Sequence, residues 1–255
     1  MRGVSVVIPM YNASTSIKKC LSSVLGQDVS DVQIILVDDG SSDNCSQVAK
    51  NYLEQNSFSN FKIIRQKNGG PGKARNTGIQ NSDCDYIAFL DSDDIWEKSH
   101  LNILLSKIKE LNADFVCTSK NIKITDTKKI TLRKMMFRCL VQSSTTLIKK
   151  TILEKNQFRD GKRYSEDYDL WLRIADDGAC MYLLPVIDVH SCDDKEMYGE
   201  SGLSKNLWHM EKNELENYRF LLNTHSVSVF LYICAVVFSM FKYILRIIKT
   251  FIRKR

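Results

Sequence analysis

An alternation of short apolar runs with helical patterns along residues 4–110 constrains the fold more than any other feature. The runs are six or seven residues long and rich in β-branched residues, which is typical of buried strands. Between them, apolar side chains recur at helical spacing. This pattern predicts an α/β fold with a doubly wound, mostly parallel sheet covered by helices on both faces. The predicted strands are 4–9, 32–38, 61–66 and 86–91.

Polar and acidic residues follow each of the four predicted strands. In parallel sheets, ligands bind outside the carboxyl ends of the strands. Solvated turns would explain any one of these polar segments, but they explain four in register poorly. We therefore expect a ligand site at this edge of the sheet. The four segments are 9–12, 38–41, 68–70 and 91–93.

Three carboxylates, those of Asp91, Asp93 and Asp94, occupy four positions after the fourth strand. Like charges this close are unfavourable unless a positive charge lies between them. A hard divalent cation such as Mg²⁺ or Mn²⁺ would neutralise them, and such ions are commonly held by few carboxylates plus substrate phosphates. A diphosphate is therefore the natural co-ligand. The chain has no GxGxxG after its first strand and no GxxxxGK[ST], which disfavours dinucleotide and Walker-type sites.

The second half of the chain shows the pattern less clearly. Residues 114–119 and 143–150 are strand-like, and the basic segment between them is of uncertain form. Glu166 and Asp167 fall in the first turn of a later predicted helix. They either complement the helix dipole or deprotonate an incoming hydroxyl group. A strand over 180–190 and a helix over 207–222 are predicted to follow.

The net charge of +6 falls on the last 14 residues, which hold six Lys or Arg residues and no acid. The rest of the chain is neutral, which disfavours a nucleic-acid partner. Residues 227–241 carry no charge but fall short of the roughly 20 residues that a spanning helix needs. We expect this segment to lie in or dip into an anionic leaflet, the alternatives being a helix docked on the core and a true span. Four cations share one face of the continuing helix: Lys242, Arg246, Lys249 and Arg253.

The eight cysteines show no CxxC pair and no zinc-ligand spacing, so they are interpreted as reduced core residues of a cytosolic protein. The first predicted strand begins almost at the N-terminus, which leaves no room for a signal peptide. We therefore expect a cytoplasmic protein that is peripheral on the inner face of the cell membrane.

Five stretches of the chain resemble the family 2 glycosyltransferases, which are inverting enzymes with the GT-A type of nucleotide-sugar fold. They occur in the family's order and cover residues 4 to about 175. The resemblance implies a glycosyltransferase domain over 1–205 and a helical, membrane-associating extension over 206–255. The stretches are VSVVIPMYNAS, IILVDDGSSD, NGGPGKARNTGI, YIAFLDSDD and YSEDYDLWLRI.

The resemblance also implies a role for each matching residue at the donor site. Asp38 or Asp39 would contact the uracil and the ribose of the nucleotide. Three residues would line the nucleotide pocket: Pro9, Tyr11 and Asn12. Three more would lie beside the base and the phosphates: Lys73, Arg75 and Asn76.

The remaining implied roles concern the metal and the base. Asp91, Ser92 and Asp93 form the family's DxD motif, with Asp93 favoured as the direct ligand of Mn²⁺ or Mg²⁺. Asp167, in the family's ED pair, would be the catalytic base. His190 follows where many GT-A enzymes place a metal-binding histidine, although a lone histidine is equally well a structural residue.

The implied reaction is the transfer of one sugar from a nucleotide-diphosphate sugar, UDP by family habit, to a hydroxyl group of a glycan or lipid-linked acceptor. This fits bacterial surface polysaccharide synthesis. The QxxRW motif and multiple spanning helices of processive members are missing, so a single addition is expected. The alternatives are an inactive nucleotide-sugar-binding homologue, a nucleotidyltransferase and a membrane scaffold. A nucleotidyltransferase would show a Gly-rich basic signature where this chain has PMYNAS.

Overall fold

The structure is a computed structural model that describes residues 3–192 and 206–253. Strands and helices alternate through the first half as the sequence predicts. The elements are β1 (Val4–Met10), α1 (Ile17–Leu25), β2 (Val32–Asp38), α2 (Cys45–Gln55), β3 (Phe61–Arg65), α3 (Pro71–Gln80), β4 (Tyr86–Phe89), β5 (Asp94–Trp96) and α4 (His100–Glu110).

The second half adds further strands, and its last two helices are long. The basic segment of uncertain form folds into a strand followed by a short helix. The elements are β6 (Phe115–Ser119), β7 (Lys128–Ile130), α5 (Leu132–Phe137), β8 (Thr146–Lys149), α6 (Lys150–Lys155), α7 (Glu166–Asp176), β9 (Met181–Ile187), β10 (Val189–Ser191), α8 (Leu207–Asn223) and α9 (Val229–Arg253).

Eight strands form one sheet in the order β3-β2-β1-β4-β8-β6-β9-β7. The first four pair in parallel, as predicted from their continuous apolar runs. β8 runs antiparallel between β4 and β6, so β4 and β6 point the same way and end at the same edge. β9 is parallel to β6, and β7 is the antiparallel edge strand. The prediction of a mostly parallel α/β sheet is confirmed.

Helices cover both faces of the sheet and enclose two apolar cores. One core lies under α1, α2 and α4, and the other lies under α3 and α5 to α9. The helix α3 packs very close to β1, since a Cβ atom added at Gly78 would lie 2.2 Å from Cγ1 of Val7. None of the eight cysteines forms a disulfide, and three of them, Cys20, Cys45 and Cys117, lie in these cores. Cys139 is exposed, so the prediction that the cysteines are core residues does not hold for it.

A second, two-stranded sheet lies beside the predicted ligand edge. β5 and β10 pair antiparallel, with His190 opposite Ile95 and Ser191 opposite Asp94. The pairing brings the segment after β9 next to the acidic turn that follows β4. The pairing joins residues almost a hundred positions apart, so it could not be predicted from a local sequence pattern.

The helix α9 docks on α8, which corrects the prediction for the tail. Nζ of Lys242 lies 2.9 Å from Oε1 of Glu214, and Nη1 of Arg246 lies 3.7 Å from Oε2 of Glu211. The prediction that these two cations face a lipid leaflet is wrong, because α8 supplies carboxylates that attract them inward. Lys249 remains exposed. The segment Val229–Ile252 is long and apolar enough to cross a membrane by length and composition alone.

Candidate active site

The loop after β1 carries an exposed aromatic ring to the edge of the sheet. Tyr11 is 59% exposed, so one face of its ring is available to stack on a flat ligand. Asn12 has a left-handed φ of 52°, and its side-chain carbonyl oxygen accepts a hydrogen bond from the backbone N–H of Ser42 at 2.9 Å. This bond ties the loop after β1 to the loop after β2. Pro9 lies in β1 itself.

Asp38 ends β2 and Asp39 follows it, and both carboxylates bond to nearby groups of the protein rather than facing solvent. The Asp38 carboxylate accepts bonds from the Ser41 N–H at 2.8 Å and the Ser46 hydroxyl at 2.7 Å. Asp38 is 1% exposed, and its two bonds shape the turn, which favours Asp39 over Asp38 as the residue that contacts the nucleotide. Asp39 accepts bonds from the N–H groups of Gly69 and Gly70 at 2.9 and 2.7 Å. Its contact with uracil or ribose stays a prediction.

The start of α3 separates an exposed cation from two buried polar residues. Lys73 points to solvent in the first turn, where it is available to a ligand. Asn76, by contrast, exchanges two hydrogen bonds with the backbone of Phe158, at 2.8 and 2.9 Å. The prediction that Asn76 lies beside the base and phosphates is therefore corrected, because both ends of its amide are already bonded inside the protein.

The guanidinium group of Arg75 joins the two acidic motifs. It is 4% exposed, with Nη2 2.7 Å from Oδ1 of Asp91 and Nη1 3.0 Å from Oε1 of Glu166. Arg75 thus brings the turn after β4 and the N-terminus of α7 to one place, although they are 75 residues apart in sequence. Arginine suits this role because its planar guanidinium group presents several N–H donors and can bind two carboxylates at once.

The carboxyl groups around Arg75 differ in their affinity for protons. Enclosure raises the pKa of Asp91, but the Arg75 charge outweighs it and the net pKa is lowered. Burial and the neighbouring Asp167 raise the pKa of Glu166 to about 7, against the opposing effect of Arg75. Burial also raises the pKa of Asp167 despite Arg75. The site therefore holds one firmly ionised carboxylate beside two with raised proton affinity, which is a common arrangement in acid–base catalysis.

A second cation, Lys120, neutralises the third carboxylate of the acidic turn. Asp94 is 2% exposed and is bonded to Nζ of Lys120 and the hydroxyl of Ser144. Burial and Asp91 raise the pKa of Asp94, against the effect of Lys120. The oxygen of Ser144 also accepts a bond from the Asp91 N–H at 3.1 Å. Lys120 and Ser144 therefore hold the acidic turn in place through bonds to Asp94 and to the backbone of Asp91.

Sequence reasoning missed both of these residues. Lys120 directly follows the predicted strand 114–119, so the rule that flagged the ends of the first four strands would have found it. Because β4 and β6 run in the same direction, Lys120 and Asp91 lie at the same edge. Ser144 carries no such signal in the sequence.

The turn Asp91-Ser92-Asp93 fits a hard divalent cation by the chemistry of its donors. The Asp91 side chain is 37% exposed although one of its oxygens binds Arg75, and carboxylate oxygens are the ligands that Mg²⁺ and Mn²⁺ prefer. His190 lies on β10 with Nε2 2.9 Å from Oε1 of Glu97. In the described parts of the chain, no three His, Cys, Asp or Glu residues form a ready-made metal cluster, and a metal-binding role for His190 stays a prediction.

The mostly parallel α/β sheet, with polar loops gathered at one edge, is a fold of the GT-A type. The sequence profile described as "Glycosyl transferase family 2" matches residues 5–180, and the chain belongs to that family.

The curated relatives and solved structures agree with this assignment. The chain is 33% identical over 183 residues to the UDP-Glc:alpha-D-GlcNAc-diphosphoundecaprenol beta-1,3-glucosyltransferase WfgD of Escherichia coli, which covers 68% of this chain and 70% of WfgD. Three other relatives are matched over only 16% to 32% of their own length.

Two solved structures share the fold. Staphylococcus aureus TarS 1-349 in complex with UDP-GlcNAc superposes with a TM-score of 0.71 at 20% identity, covering 86% of this chain and 65% of TarS 1-349. The mannosyltransferase PcManGT of Pyrobaculum calidifontis, in complex with GDP-Man and Mn²⁺, gives 0.70 at 14% identity, covering 93% and 72% of the two chains.

Proposed function

We propose that the chain is an inverting, non-processive glycosyltransferase that moves one sugar from a nucleotide-diphosphate sugar to a hydroxyl group of a lipid-linked glycan. The observation that carries the proposal is Arg75, which holds the acidic turn and the Glu166-Asp167 pair together. These two ion pairs support a site in which the acidic turn binds the donor and a carboxylate beside Arg75 accepts the proton. The solved structures bound to UDP-GlcNAc and GDP-Man support a nucleotide-sugar donor.

Asp167 is the proposed base, and Glu166 is proposed to position it. Glu166 is buried and bonded to Arg75, whereas Asp167 is only half-buried and so more accessible to an acceptor hydroxyl group. The raised pKa of Asp167 makes its ionised form a stronger proton acceptor. Direct attack by the deprotonated hydroxyl group on the anomeric carbon would invert that centre.

Asp91 and Asp93 are proposed to hold a divalent cation, Mn²⁺ or Mg²⁺, together with the donor diphosphate. When bound, such an ion neutralises the charge that develops on the departing nucleoside diphosphate. Tyr11 is proposed to stack on the base and Lys73 to contact the phosphates, which their exposed side chains support. UDP is the favoured nucleotide because WfgD is named for a UDP-sugar donor.

The proposed acceptor is lipid-linked and the proposed location is the cytoplasmic face of the membrane. WfgD is named for a diphosphoundecaprenol-linked acceptor. The helix α9 presents large apolar side chains to the outside, which supports contact with lipid. The most exposed of them are Phe230 at 78%, Ile252 at 66%, Val237 at 63% and Val229 at 62%.

The test is a transfer assay with a panel of UDP-sugars and a lipid-linked sugar acceptor, run on the wild type, Asp167→Asn and Glu166→Gln. Asp167→Asn keeps the side-chain size but cannot take a proton at neutral pH. We expect transfer to fall by at least about a hundredfold while the KM for the donor changes little. Because Glu166 acts through position, Glu166→Gln should lose less activity.

Two results would contradict the proposal. A collapse of donor binding in Asp167→Asn would make Asp167 a structural residue. Donor binding by the wild type without transfer or donor hydrolysis, across the whole panel, would favour the inactive nucleotide-sugar-binding homologue.

A further inference from the structure

A concentration of positive charge lies on the body of the protein, away from the tail. Residues 120–138 hold seven Lys or Arg residues and one acid, Asp126. Lys120 is bonded to Asp94 and belongs to the site described above. The other six cations are exposed, and we call them the basic surface: Lys123, Lys128, Lys129, Arg133, Lys134 and Arg138.

The basic surface has a fixed shape, because apolar residues of the same segment anchor it from below. Ile130, Met135 and Met136 are at most 2% exposed and belong to the core under α5 to α9. Nζ of Lys134 donates to the backbone carbonyl of Lys129 at 3.1 Å, which holds α5 against the end of β7. The six cations therefore lie on β7, on α5 and in the segments beside them, and the neighbours Lys128 and Lys129 point to opposite faces of the sheet edge.

The basic surface adjoins the apolar helix α9. The rings of Phe137 on α5 and Phe238 on α9 make an edge contact with their centroids 5.7 Å apart. The Tyr218 hydroxyl lies 2.8 Å from both the Met136 carbonyl and Oε1 of Glu214, and Glu214 binds Lys242 of α9. Bonds and ring contacts thus fix α5 relative to α9, and the charged and apolar surfaces are neighbours.

Lys242 and Arg246 face α8, so they are poorly placed to meet a lipid leaflet. If α9 lies against a membrane, the exposed cations of the adjoining segment can reach lipid headgroups together with Lys249 of α9 itself. Among residues 3–192 and 206–253, no carboxylate forms an ion pair with any of the six. Each cation close to an anionic leaflet contributes to binding in a way that salt weakens.

We propose that the basic surface is a docking site for the anionic headgroups of a lipid bilayer, and that it sets the orientation of the protein while α9 supplies the apolar contact. The proposal rests on the membrane contact proposed for α9, and it does not depend on sugar transfer. The alternative for Lys128 and Lys129 is protection of the sheet edge, because lysines on an edge strand such as β7 prevent pairing with another chain.

The experiment measures sedimentation with vesicles of phosphatidylglycerol and phosphatidylcholine, or of phosphatidylcholine alone, at low and high salt. The full chain carries Lys128→Gln, Lys129→Gln and Arg133→Gln together. The matched control carries Lys50→Gln, Lys107→Gln and Lys109→Gln, on α2 and α4 at the opposite face of the sheet. Both variants lose three positive charges, so a difference between them reports position rather than net charge.

We expect the first variant to bind anionic vesicles at least about tenfold more weakly than the control at low salt. The difference should shrink at high salt, and binding to neutral vesicles should be equal for both. Equal binding of the two variants to anionic vesicles would overturn the proposal. Self-association of the first variant with unchanged vesicle binding would assign these lysines to edge protection instead. Unchanged vesicle binding with lost binding of inorganic pyrophosphate would assign them to a soluble diphosphate.

A separate variant tests the contact on which the proposal rests. Val237→Ser with Phe241→Ser removes two exposed apolar side chains of α9, at 63% and 57% exposure. Weaker binding to neutral vesicles is expected, because apolar burial does not depend on headgroup charge. Unchanged binding to both vesicle types would remove α9 from the interface and overturn the proposal. The donor hydrolysis rate of each variant, measured without lipid, reports separately on the proposed function.

Discussion

At the scale of single residues, Arg75 is the side chain on which the geometry of the site depends most. It is buried, and its two terminal nitrogens bind carboxylates from two distant parts of the chain. Removing one partner from a buried ionic network leaves the others as uncompensated charges. The positive charge also lowers the pKa of Asp91 and opposes the rise in the pKa of Asp167.

Arg75→Met should therefore lower both stability and activity. We expect the free energy of unfolding in urea to fall by about 3–5 kcal/mol, as for other broken buried pairs. Without the guanidinium the pKa of Asp167 rises, and a base must be ionised to act, so the acid limb of kcat/KM should move to higher pH. Arg75→Lys keeps the positive charge but loses the two N–H groups that bind two carboxylates at once. We expect its pH profile to lie close to that of the wild type while its rate stays low. If the acid limb of kcat/KM does not move in Arg75→Met, Arg75 does not influence the pKa of the base.

Asp93 is the residue that tests the metal. Asp93→Ala should abolish transfer and the part of donor binding that depends on Mn²⁺, because the cation and the diphosphate share ligands. Calorimetric titration of the donor with and without Mn²⁺ measures this. Asp28→Ala, which removes an exposed carboxylate paired with Lys98, is the control. Full wild-type activity in excess chelator would rule out the assignment.

At the scale of elements, the close approach of α3 and β1 sets the position of Arg75. Gly78 lies one turn of α3 after Arg75, and a Cβ atom there would lie 2.2 Å from Cγ1 of the fully buried Val7. Val7 is β-branched and enclosed, so it cannot turn aside cheaply. The glycine therefore allows α3 to lie on the sheet at the depth at which its arginine reaches both carboxylates.

Gly78→Ala should destabilise the protein although alanine favours helices more than glycine does. We expect a net fall of about 1–2 kcal/mol in the free energy of unfolding in urea, because an overpacking cost of about 2–3 kcal/mol exceeds the gain of about 1 kcal/mol in helix propensity. Val7→Ala combined with Gly78→Ala should cost less than the sum of the two single changes. Gly26→Ala, whose added Cβ atom would meet only two backbone oxygens, at 3.3 and 3.9 Å, should change little. Additive effects of Val7→Ala and Gly78→Ala would show that α3 shifts instead.

The elements also show how far the sequence predicts this fold. β1 to β4 and the helices between them follow local periodicity, and local periodicity is visible in one chain. The acidic turn and the Glu166-Asp167 pair were found because each is contiguous in the sequence. The bond of Lys120 to Asp94, the pairing of β10 with β5 and the buried role of Asn76 depend on residues far apart in sequence. Such long-range contacts cannot be predicted from the spacing of residues in one sequence.

At the scale of the whole molecule, the C-terminal helices are fastened to the catalytic body and are not a detached anchor. The Tyr168 hydroxyl, one residue after the proposed base, lies 3.1 Å from the Tyr218 hydroxyl of α8. Tyr218 in turn bonds to Glu214, whose Oε1 also accepts bonds from Ser239 at 2.8 Å and Lys242 at 2.9 Å. A continuous set of hydrogen bonds therefore links α9 to the start of α7. Removing α9 would take away the cation of Glu214 and uncover part of the core that α9 covers, so we expect truncation to lower the stability of the fold.

Lys242→Met tests this fastening against Lys249→Met, which removes an exposed cation from the same helix. Burial raises the pKa of Glu214, but Lys242 and the hydroxyl donors outweigh it and the net pKa is lowered. A carboxyl group whose pKa is lowered by folding stabilises the fold above its unfolded pKa of about 4.3, and this stability is lost as the pH falls through the folded value. We expect Lys242→Met to lower the free energy of unfolding in urea by about 1–3 kcal/mol at pH 7.

The loss in Lys242→Met should shrink as the pH falls below the unfolded pKa of Glu214, because a protonated Glu214 no longer needs the cation. Lys249→Met should stay within about 0.5 kcal/mol of the wild type at every pH. Urea unfolding at pH 7 and at pH 4 measures both variants. Equal stability of the two variants at pH 7 would show that α9 rests on α8 through apolar contact alone. The link between the tail and the helix of the proposed base would then lose its support.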